Sequence, residues 1–494
     1  MENKKEFKMH MPQDAREIIN LLESAGYSAF VVGGCCRDAM LGRVPHDYDI
    51  CTSATPEQMK SIFVKSGHNT YDTGLQHGTI SVLGKDKEIY EVTTYRCDGE
   101  YTDGRHPDSV QFVSDIILDL SRRDFTINSM AYSPDRGLVD PFGGAEDLGK
   151  ELIRCVGDPN KRFKEDGLRI MRAIRFAATY GFEIEPETKK AIHANKHLLQ
   201  NVSAERKTVE FVKTITHAKA DLLQEYADVF AEFIPEIEPM IGFDQKTPWH
   251  KYDVWEHTTR AIEMAPNDPT LRLAVFFHDI GKPTTFQRDL MERGHFYFHQ
   301  EKSADMAEKI MRRMKFDTQS VKTVCALVKH HDEPLTHNMD PKNIKCLLKN
   351  IGEDNLRRLI PIQIADKQAS RGTREELEKM DRAEMSYEDA AILGQLRALD
   401  KYDGLITQAI ESGEPYLIKH LAVNGNDLKE IGIEGPDIGD ALNHLLLDVI
   451  VHPEWNTKDT LIEDASRYWQ YINGERDSFD LDDPEQTGAD RWSR

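Results

Sequence analysis

The sequence contains no Cys-x-x-Cys pair, and its seven cysteines are an odd number. This usage argues against a zinc ribbon or a complete disulfide framework and is typical of reduced thiols in the cytoplasm. No apolar run approaches the roughly 18 residues that a membrane span requires, and Met1–Ala15 lacks the apolar core of a signal peptide. We therefore expect a cytoplasmic protein that does not enter membranes.

Positive charge is also scarce, with 63 Lys and Arg against 85 Asp and Glu and a net charge of −22. This balance excludes a protein that binds nucleic acid through a generally basic surface. The segment Lys161–Glu210 is an exception, because eleven Lys and Arg outnumber seven Asp and Glu there. We expect any polyanionic partner to dock on this local patch.

Hydrophobic patterning changes near residue 150 of the 494-residue chain. An amphipathic helix over residues 14–26 precedes short strand-like runs, predicted at Ser28–Val32, Tyr48–Cys51, Thr79–Leu83, Ile89–Thr94 and Val110–Val113. Beyond residue 150 the apolar spacing is helical. The sequence therefore predicts an α+β module, with a mixed or antiparallel sheet and helices, followed by all-α domains.

The first candidate site lies in FVVGGCCRDAMLGRVPHDYDI, residues 30–50. A strand leads into Gly33 and Gly34, where backbone N–H groups can approach a phosphate, and Arg37 follows with a guanidinium that grips phosphate oxygens. Asp47 and Asp49 are two residues apart on a predicted strand, so both carboxylates share a face. Two such carboxylates suit a pair of Mg²⁺ ions that clamp a triphosphate. The alternative is a glycine turn followed by a solvated acidic strand end.

Two further segments carry candidate nucleotide-binding residues. Glu91 lies on a neighbouring predicted strand as a third metal ligand or an ordinary exposed residue. In RRDFTINSMAY, residues 122–132, Arg123 and Asp124 can hold phosphates and ribose hydroxyls, or form a surface salt-bridge cluster.

The segment KEDGLRIMRAIRFA, residues 164–177, spaces its polar groups by three. Neighbouring members are predicted to adjoin each other on one helix; they are Asp166, Arg169, Arg172 and Arg175. A carboxylate beside a guanidinium can hydrogen-bond the edge of a base. The alternative is a helix whose arginines face solvent.

Five motifs in this order resemble the class II CCA-adding enzymes, tRNA nucleotidyltransferases of the DNA polymerase β superfamily. They are GG-x-x-RD with D-x-D, RRDFTIN-x-MA, VDPFGGAEDL (139–148), EDGLRIMRAIRFA, and SAERKTVEF (203–211). The resemblance covers roughly residues 17–215 and implies template-free addition of C, C and A to tRNA 3′ ends that lack all or part of CCA.

By this resemblance, Asp47 and Asp49 hold catalytic Mg²⁺, with Glu91 as a further carboxylate. CTP and ATP would be bound by a set of glycines, arginines and aspartates: Gly33, Gly34, Arg37, Arg123, Asp124, Asp166, Arg169, Arg172 and Arg175. The family also contains enzymes that add only CC or only A, and poly(A) polymerases. By the resemblance, CC-adding members lack a flexible loop between the D-x-D strand and the RRD motif, and this chain has a polar loop there at Arg96–Pro107. Poly(A) polymerases tend to carry a basic C-terminal extension, whereas this C-terminus is acidic, so both features favour full CCA addition.

A second candidate site combines histidines and aspartates within residues 250–366. Imidazole and carboxylate are suitable ligands for Mn²⁺, Fe²⁺, Ni²⁺ or Zn²⁺. The spacing H…HD…H…HH…D resembles the HD phosphohydrolases, which use a divalent transition metal or Mg²⁺. That resemblance implies a metal site formed by His257, His278, Asp279 and Asp366, extended to two metals by His299, His330 and His331.

These motifs predict five regions: a nucleotidyltransferase head (1–150), a helical neck for base recognition and RNA binding (151–245), an HD domain (246–370), a helical tRNA-binding tail (371–475) and a disordered acidic end (476–494). Two alternatives of other classes remain. In one, the HD site is the main enzyme and the N-terminal module only binds RNA or nucleotide. In the other, the chain is a noncatalytic RNA-binding protein.

Overall fold

The computed structural model of the chain describes residues 7–99, 109–337 and 339–473. It divides into two compact units: the first contains the chain up to Ile241 and Ile310–Phe316, and the second contains Gly242–Lys309 and the chain from Asp317. The finer five-part division stays a prediction. Most of the loop predicted at Arg96–Pro107, and all of the acidic end, lie outside the described residues. Within the described residues, no helix has the length and apolarity needed to cross a membrane.

The first unit is built around one large sheet. The strands of this unit are β1 (Ala29–Val32), β2 (Ile50–Thr52), β3 (Thr70–Gly74), β4 (Thr79–Leu83), β5 (Ile89–Thr94), β6 (Arg96–Asp98), β7 (Val110–Phe112), β8 (Ala131–Ser133), β9 (Gly137–Val139), β10 (Leu152–Ile153) and β11 (Glu183–Ile184). Seven form a sheet in the order β3-β4-β5-β2-β1-β8-β9. Since β2 and β5 pair parallel and the other neighbours antiparallel, the predicted mixed sheet is confirmed.

Helices of the first unit flank this sheet and continue beyond it. They are α1 (Gln13–Ser24), α2 (Gly34–Met40), α3 (Pro56–Lys65), α4 (Ile116–Ser121), α5 (Gly144–Gly149), α6 (Pro159–Glu165), α7 (Leu168–Tyr180), α8 (Pro186–Asn195), α9 (Ala204–His217), α10 (Ala220–Glu225) and α11 (Ala227–Ala231). Helix α7 buries Ile170, Met171 and Ile174. Its apolar face packs against α9, so these two helices form the core of the region after the sheet.

Central strand β1 positions the first candidate site. Its four residues are all buried, as expected for a strand with neighbours on both sides and covered faces. At Gly33 the backbone turns with φ +75° into α2, so β1 offers no partner beyond that point. The strand predicted at Tyr48–Cys51 therefore begins only at Ile50, and a single hydrogen bond, from Val32 N to Asp49 O (2.9 Å), extends the pairing.

The second unit is almost entirely helical. The helices are α12 (Val254–Met264), α13 (Pro269–Phe277), α14 (Lys282–Thr285), α15 (His299–Arg313), α16 (Thr318–Lys329), α17 (Pro341–Ile351), α18 (Glu353–Arg371), α19 (Arg374–Lys379), α20 (Tyr387–Glu411), α21 (Gly425–Glu430), α22 (Asp437–Val451) and α23 (Lys458–Ile472). The last residues of α15, from Ile310, belong to the first unit. A small hairpin, β12 (Gln287–Arg288) and β13 (Gly294–His295), precedes α15. The helical C-terminal region predicted from the sequence is thus confirmed.

Candidate functional site

The glycine turn after β1 brings an arginine from a distant segment close to the backbone. A Cβ atom on Gly33 would lie 2.8 Å from Nη1 of Arg123, and the positive φ of Gly33 disfavours any L side chain there. The guanidinium of Arg123 also lies 3.4 Å from the buried carboxylate of Asp119. Because residue 33 is a glycine, the Arg123 guanidinium, a group that can bind phosphate, can lie directly beside the turn.

The three predicted carboxylates lie at one end of the central strands. Asp47 and Asp49 precede β2 in an extended segment, and both are exposed. Because Ile50 pairs with Val92 in parallel register, Glu91 is the residue of β5 that corresponds to Asp49. Both Glu91 and Asp47 act electrostatically on the Asp49 carboxylate, so the three carboxylates lie near one another.

The electrostatics of Asp49 suit a cation site. Protein atoms around its carboxylate raise the pKa of Asp49, the Arg123 guanidinium opposes that rise, and the negative charges of Glu91 and Asp47 add to it. Mg²⁺ prefers hard oxygen donors such as carboxylates. Carboxylates whose negative charge is not balanced by nearby positive charge attract such a cation. Among the described residues, however, these three do not form one of the tight ligand groups, whose donor atoms lie within 4.8 Å of each other.

A buried polar network joins three of the predicted nucleotide-site segments. Arg37 donates from Nη1 to Asn128 Oδ1 (2.5 Å), Asn128 donates from Nδ2 to Asp124 Oδ1 (3.1 Å), and Arg172 donates from Nε to Asp124 Oδ2 (2.8 Å). Burial alone would raise the pKa of Asp124, but the charge of Arg172 and these hydrogen bonds lower it to about 2. The Asp124 carboxylate thus makes its hydrogen bonds within the protein and is not directed at a ribose.

The predicted base-recognition pair is also held by neighbouring groups. Asp166 accepts from Leu168 N (3.0 Å) and from both terminal nitrogens of Arg206, at 3.3 and 2.7 Å. Arg169 donates to Glu165 (2.6 Å) and to the carbonyl oxygens of residues 162 and 122, at 3.1 and 3.0 Å.

One part of the helix prediction is wrong. Asp166 has extended backbone between α6 and α7, with φ −149° and ψ 107°, so it does not share a helix with Arg169. The reason is local: its carboxylate accepts the N–H of Leu168 and thereby starts α7. At the other end of the set, Arg175 turns away to Glu210 on α9.

Several residues that organise this site were missed in the sequence. Asn128, Arg206 and Glu210 each hold a predicted residue, and each lies inside a motif already singled out. For Asn128 the available signal was a polar residue in the largely apolar run FTINSMA, because buried polar groups need partners. Arg206 and Glu210 lie in the polar segment SAERKTVEF, which gave no such signal.

Two tight groups of potential metal ligands lie between α12 and α18 of the second unit. The first consists of His257 on α12, His278 at the end of α13 and Asp366 on α18. His257 Nε2 lies 2.9 Å from Asp366 Oδ1 and 3.3 Å from His278 Nε2. Helix α13 ends at Phe277, as its apolar run predicted, so His278 and Asp279 follow directly at its end.

The second group consists of Asp279, His299 and His331. His299 and His331 face each other with Nε2 atoms 3.3 Å apart. In both residues, and in His278, Nδ1 lies 2.6–2.9 Å from the carbonyl oxygen three residues earlier, at Phe296, Val328 and Val275. With Nδ1–H donating there, the lone pair of each Nε2 points into the cluster, which is the arrangement of a metal-binding histidine.

Asp279 lies between the two groups. Its Oδ2 is 3.1 Å from His278 Nε2, and its Oδ1 is 3.5 Å from His299 Nε2. Among the described residues, Oδ1 accepts no hydrogen bond although it is buried. A buried carboxylate oxygen without a donor, facing imidazole lone pairs, fits a carboxylate that bridges two cations.

Charge balance in this cluster also favours bound cations. Burial would lower the pKa of His278, but Asp279 and Asp366 raise it to about 10. On the other side of the cluster, burial and the charges of His278 and His299 lower the pKa of His331 to about 3. The carboxylates therefore favour positive charge near His278, while His331 stays a neutral ligand.

His330 and Lys282 lie near the cluster but belong to neither ligand group. His330 does not join either group, because its Nδ1 lies 2.9 Å from Glu333 Oε1. Both His330 and His331 follow the end of α16 rather than lying on it. Lys282 donates to Gln245 (3.0 Å) and pairs with Asp279 Oδ2 at 2.6 Å, so its ammonium helps to hold the Asp279 carboxylate.

Comparison with known families gives three matches along the chain. A Poly A polymerase head domain matches residues 29–154, a probable RNA and SrmB-binding site of polymerase A matches residues 181–240, and an HD domain matches residues 250–370. The first range contains Asp47, Asp49 and Glu91, and the third contains the His–Asp residues of the second candidate site. Residues 166–175, which include the predicted base-recognition residues, lie between the first two ranges.

Among characterised relatives, the CCA-adding enzyme of Pediococcus pentosaceus is 42% identical over 270 residues, covering 52% of this chain and 67% of that protein. The CCA-adding enzyme of Bacillus velezensis is 44% identical over 234 residues, covering 47% of this chain and 57% of that protein. The chain thus spans between about half and two thirds of the length of these relatives.

Solved structures extend the similarity along most of the chain. The Bacillus stearothermophilus CCA-adding enzyme in complex with CTP aligns with a TM-score of 0.68 at 27% identity, covering 94% of this chain and 100% of that one. The Thermotoga maritima CCA-adding enzyme complexed with tRNA_CCA shares the fold, with a TM-score of 0.53 at 19% identity over 92% of this chain and 94% of that one. By its motifs, its fold and these relatives, the chain belongs to the class II CCA-adding enzymes.

Proposed function

We propose that this chain adds C, C and A to the 3′ ends of tRNA that lack all or part of CCA, using CTP and ATP and no nucleic-acid template. The observation that carries the proposal is the Arg123 guanidinium beside the glycine turn at Gly33, close enough to Asp49 to act on its carboxylate together with Glu91 and Asp47. In the reaction the tRNA 3′-hydroxyl attacks the α-phosphate of the nucleotide, and pyrophosphate leaves.

Asp47 and Asp49 would hold Mg²⁺, with Glu91 beside them. Bound there, Mg²⁺ would neutralise charge on the triphosphate and favour ionisation of the attacking hydroxyl. Arg123 binds the phosphates over Gly33, while the network from Arg37 to Arg172 fixes the head segment to the region that reads the base. Catalysis then depends mainly on positioning and charge neutralisation.

Base selection follows from the hydrogen-bonding capacity left on two side chains. A carboxylate offers about four acceptor sites, and Leu168 and Arg206 use three on Asp166. A guanidinium has five N–H donors, and described contacts of Arg169 use three. The remaining acceptor and donors complement the exocyclic amine and ring nitrogen that cytosine and adenine share. GTP and UTP invert this pattern and would leave buried groups unpaired, at a cost of about 1–3 kcal/mol.

The test compares nucleotide incorporation by two isosteric variants. Asp49→Asn removes a proposed metal ligand, and we expect it to abolish transfer of labelled CTP and ATP to tRNA. Asp72→Asn is the matched control, because Asp72 lies exposed on β3 of the same sheet and pairs only with Lys60 in the described structure. Full transfer by Asp49→Asn would contradict the metal assignment.

The His–Asp cluster supports a second proposed activity, hydrolysis of phosphoesters. His257, His278, Asp279 and Asp366, with His299 and His331, would hold two divalent ions, and the donor set suits Mn²⁺, Fe²⁺, Ni²⁺ or Zn²⁺, or Mg²⁺. Such ions would supply an activated water for attack on the ester. His330 is not part of this proposal.

The hydrolase proposal is tested with bis(p-nitrophenyl) phosphate and Mn²⁺. Asp279→Asn should abolish hydrolysis and leave CTP and ATP transfer unchanged. Asp289→Asn, an exposed aspartate of the nearby hairpin that pairs with His295, is its control. Equal hydrolysis by Asp279→Asn and wild type would refute the second activity.

We also propose a cytoplasmic location. Its support is chemical: the seven cysteines are free thiols, which persist in a reducing compartment.

A further inference from the structure

A third group of potential metal ligands lies in the C-terminal helices, apart from the sites described above. It consists of His444 and Asp448 on α22 and Asp464 on α23, and their donor atoms lie within 4.8 Å of one another. His444 Nε2 lies 3.3 Å from Asp448 Oδ2 and 3.9 Å from Asp464 Oδ2. We name these three residues the tail cluster.

These spacings match a metal-binding geometry. Donor atoms about 2.0–2.2 Å from a tetrahedral ion stand about 3.3–3.6 Å apart, close to the two distances within the tail cluster. A histidine and an aspartate four residues apart on one helix share a face, and a third ligand from a neighbouring helix completes three protein donors. That number leaves a fourth position for water.

The ligands are held before any ion binds. Helices α22 and α23 pack through a common apolar core that includes Leu445, Val449 and Leu461. The Tyr468 ring stacks on the His444 imidazole, with centroids 4.4 Å apart and planes at 17°, which fixes the ring orientation. The core, rather than the cluster, therefore holds the two helices together, and a change of one ligand need not unfold them.

The tail cluster brings two aspartates together beside one imidazole. Among the described residues, neither Asp448 nor Asp464 pairs with a lysine or arginine. A divalent cation bound between them would supply positive charge to both carboxylates.

We propose that the tail cluster of His444, Asp448 and Asp464 binds one divalent transition-metal ion, which links α22 to α23. Mixed imidazole and carboxylate donors favour Zn²⁺ or Mn²⁺ over Mg²⁺, since Mg²⁺ prefers oxygen ligands and water. This ion would be additional to the metals of the two proposed catalytic sites.

The test uses Zn²⁺ and the full chain in Mg²⁺-containing buffer, with bound zinc measured after gel filtration. Asp464→Asn preserves side-chain shape and removes one ligand charge. Asp459→Asn, an exposed residue in the first turn of the same helix, is the matched control. We expect Asp464→Asn to bind one zinc ion fewer per chain than wild type, and Asp459→Asn to bind as many as wild type. Equal zinc content in wild type and Asp464→Asn, or an equal loss in Asp459→Asn, would overturn the proposal.

Thermal unfolding gives a second readout that folding defects cannot imitate. Without zinc, Asp464→Asn should melt at or above the temperature of wild type, because it relieves the repulsion between two carboxylates. With excess Zn²⁺ the order should reverse, because only wild type gains the full binding free energy. The same order of melting temperatures with and without zinc would count against a metal at this cluster.

Discussion

Substituting Asp124 with asparagine tests the buried network that connects the proposed nucleotide site. The pKa of Asp124 is lowered from 3.8 to about 2, mainly because the charge of Arg172 outweighs the effect of burial. At about 1.4 kcal/mol per pKa unit, this difference corresponds to about 2.5 kcal/mol in favour of the charged carboxylate. We therefore expect Asp124→Asn to lower the free energy of unfolding of the first unit by about 2–3 kcal/mol.

The distribution of tryptophan allows the two units to be followed separately. The tryptophans within the described residues all belong to the second unit: Trp249, Trp255, Trp455 and Trp469. Trp492 lies outside the described residues. In urea unfolding, tryptophan fluorescence therefore reports the second unit, while far-UV circular dichroism reports both. Asp124→Asn should move a transition seen by circular dichroism to lower urea and leave the fluorescence transition in place.

The effect of Asp124 also depends on pH in a defined direction. Its pKa is lower in the folded than in the unfolded protein, so its stabilisation is complete above pH 4 and is lost as pH falls through about 2. The difference in unfolding free energy between wild type and Asp124→Asn should thus be constant from pH 7 to 4 and shrink below pH 4.

A double-mutant cycle with Arg172→Met identifies the partner. Since Arg172 is the main source of the lowered pKa, we expect the two substitutions to be non-additive, with a coupling of about 2 kcal/mol. Additive effects within about 0.5 kcal/mol would refute the reasoning, because independent sites behave in that way.

Three other predictions follow from the sites. Gly33→Ala should reduce nucleotide transfer more than Gly67→Ala, because both glycines have positive φ but only Gly33 has Arg123 beside it; equal effects in steady-state kinetics would mean that backbone strain alone matters. Arg206→Ala frees the carboxylate of Asp166, and we expect it to raise misincorporation of GTP and UTP, measured with each nucleotide alone; unchanged rejection would contradict the base-recognition assignment. Exhaustive chelation with EDTA should abolish both nucleotide transfer and phosphoester hydrolysis. Adding back Mg²⁺ alone should then restore nucleotide transfer. If adding Mg²⁺ and Mn²⁺ restored neither activity, the metal assignments would be contradicted.

Local sequence patterns predicted the bounds of some strands closely. The bounds of β4 and β5 were predicted to the residue, because apolar residues alternate along them and turn residues end them. The strand predicted at Tyr48–Cys51 begins two residues later, at Ile50, so Asp49 precedes it. Its start depends on where the partner strand turns away at Gly33, a pairing fact that local sequence does not contain.

The candidate sites show the same division between local and long-range information. His278 and Asp279 could be placed at a helix end, because an apolar run and a following glycine define that end. The position of Asp279 between two ligand groups could not be predicted, since it depends on helices far apart in sequence. Likewise, Asp124 and Arg172 were both predicted at the nucleotide site, but their ion pair with each other was not predicted.

The most direct test of the proposed activity uses tRNA transcripts that end before CCA, after C and after CC, incubated with purified protein, Mg²⁺ and labelled CTP, ATP or both. We expect each transcript to grow only to CCA, with C added from CTP where it is missing and A added last. Addition of A alone, a long A ladder, or no addition to any transcript would contradict CCA addition.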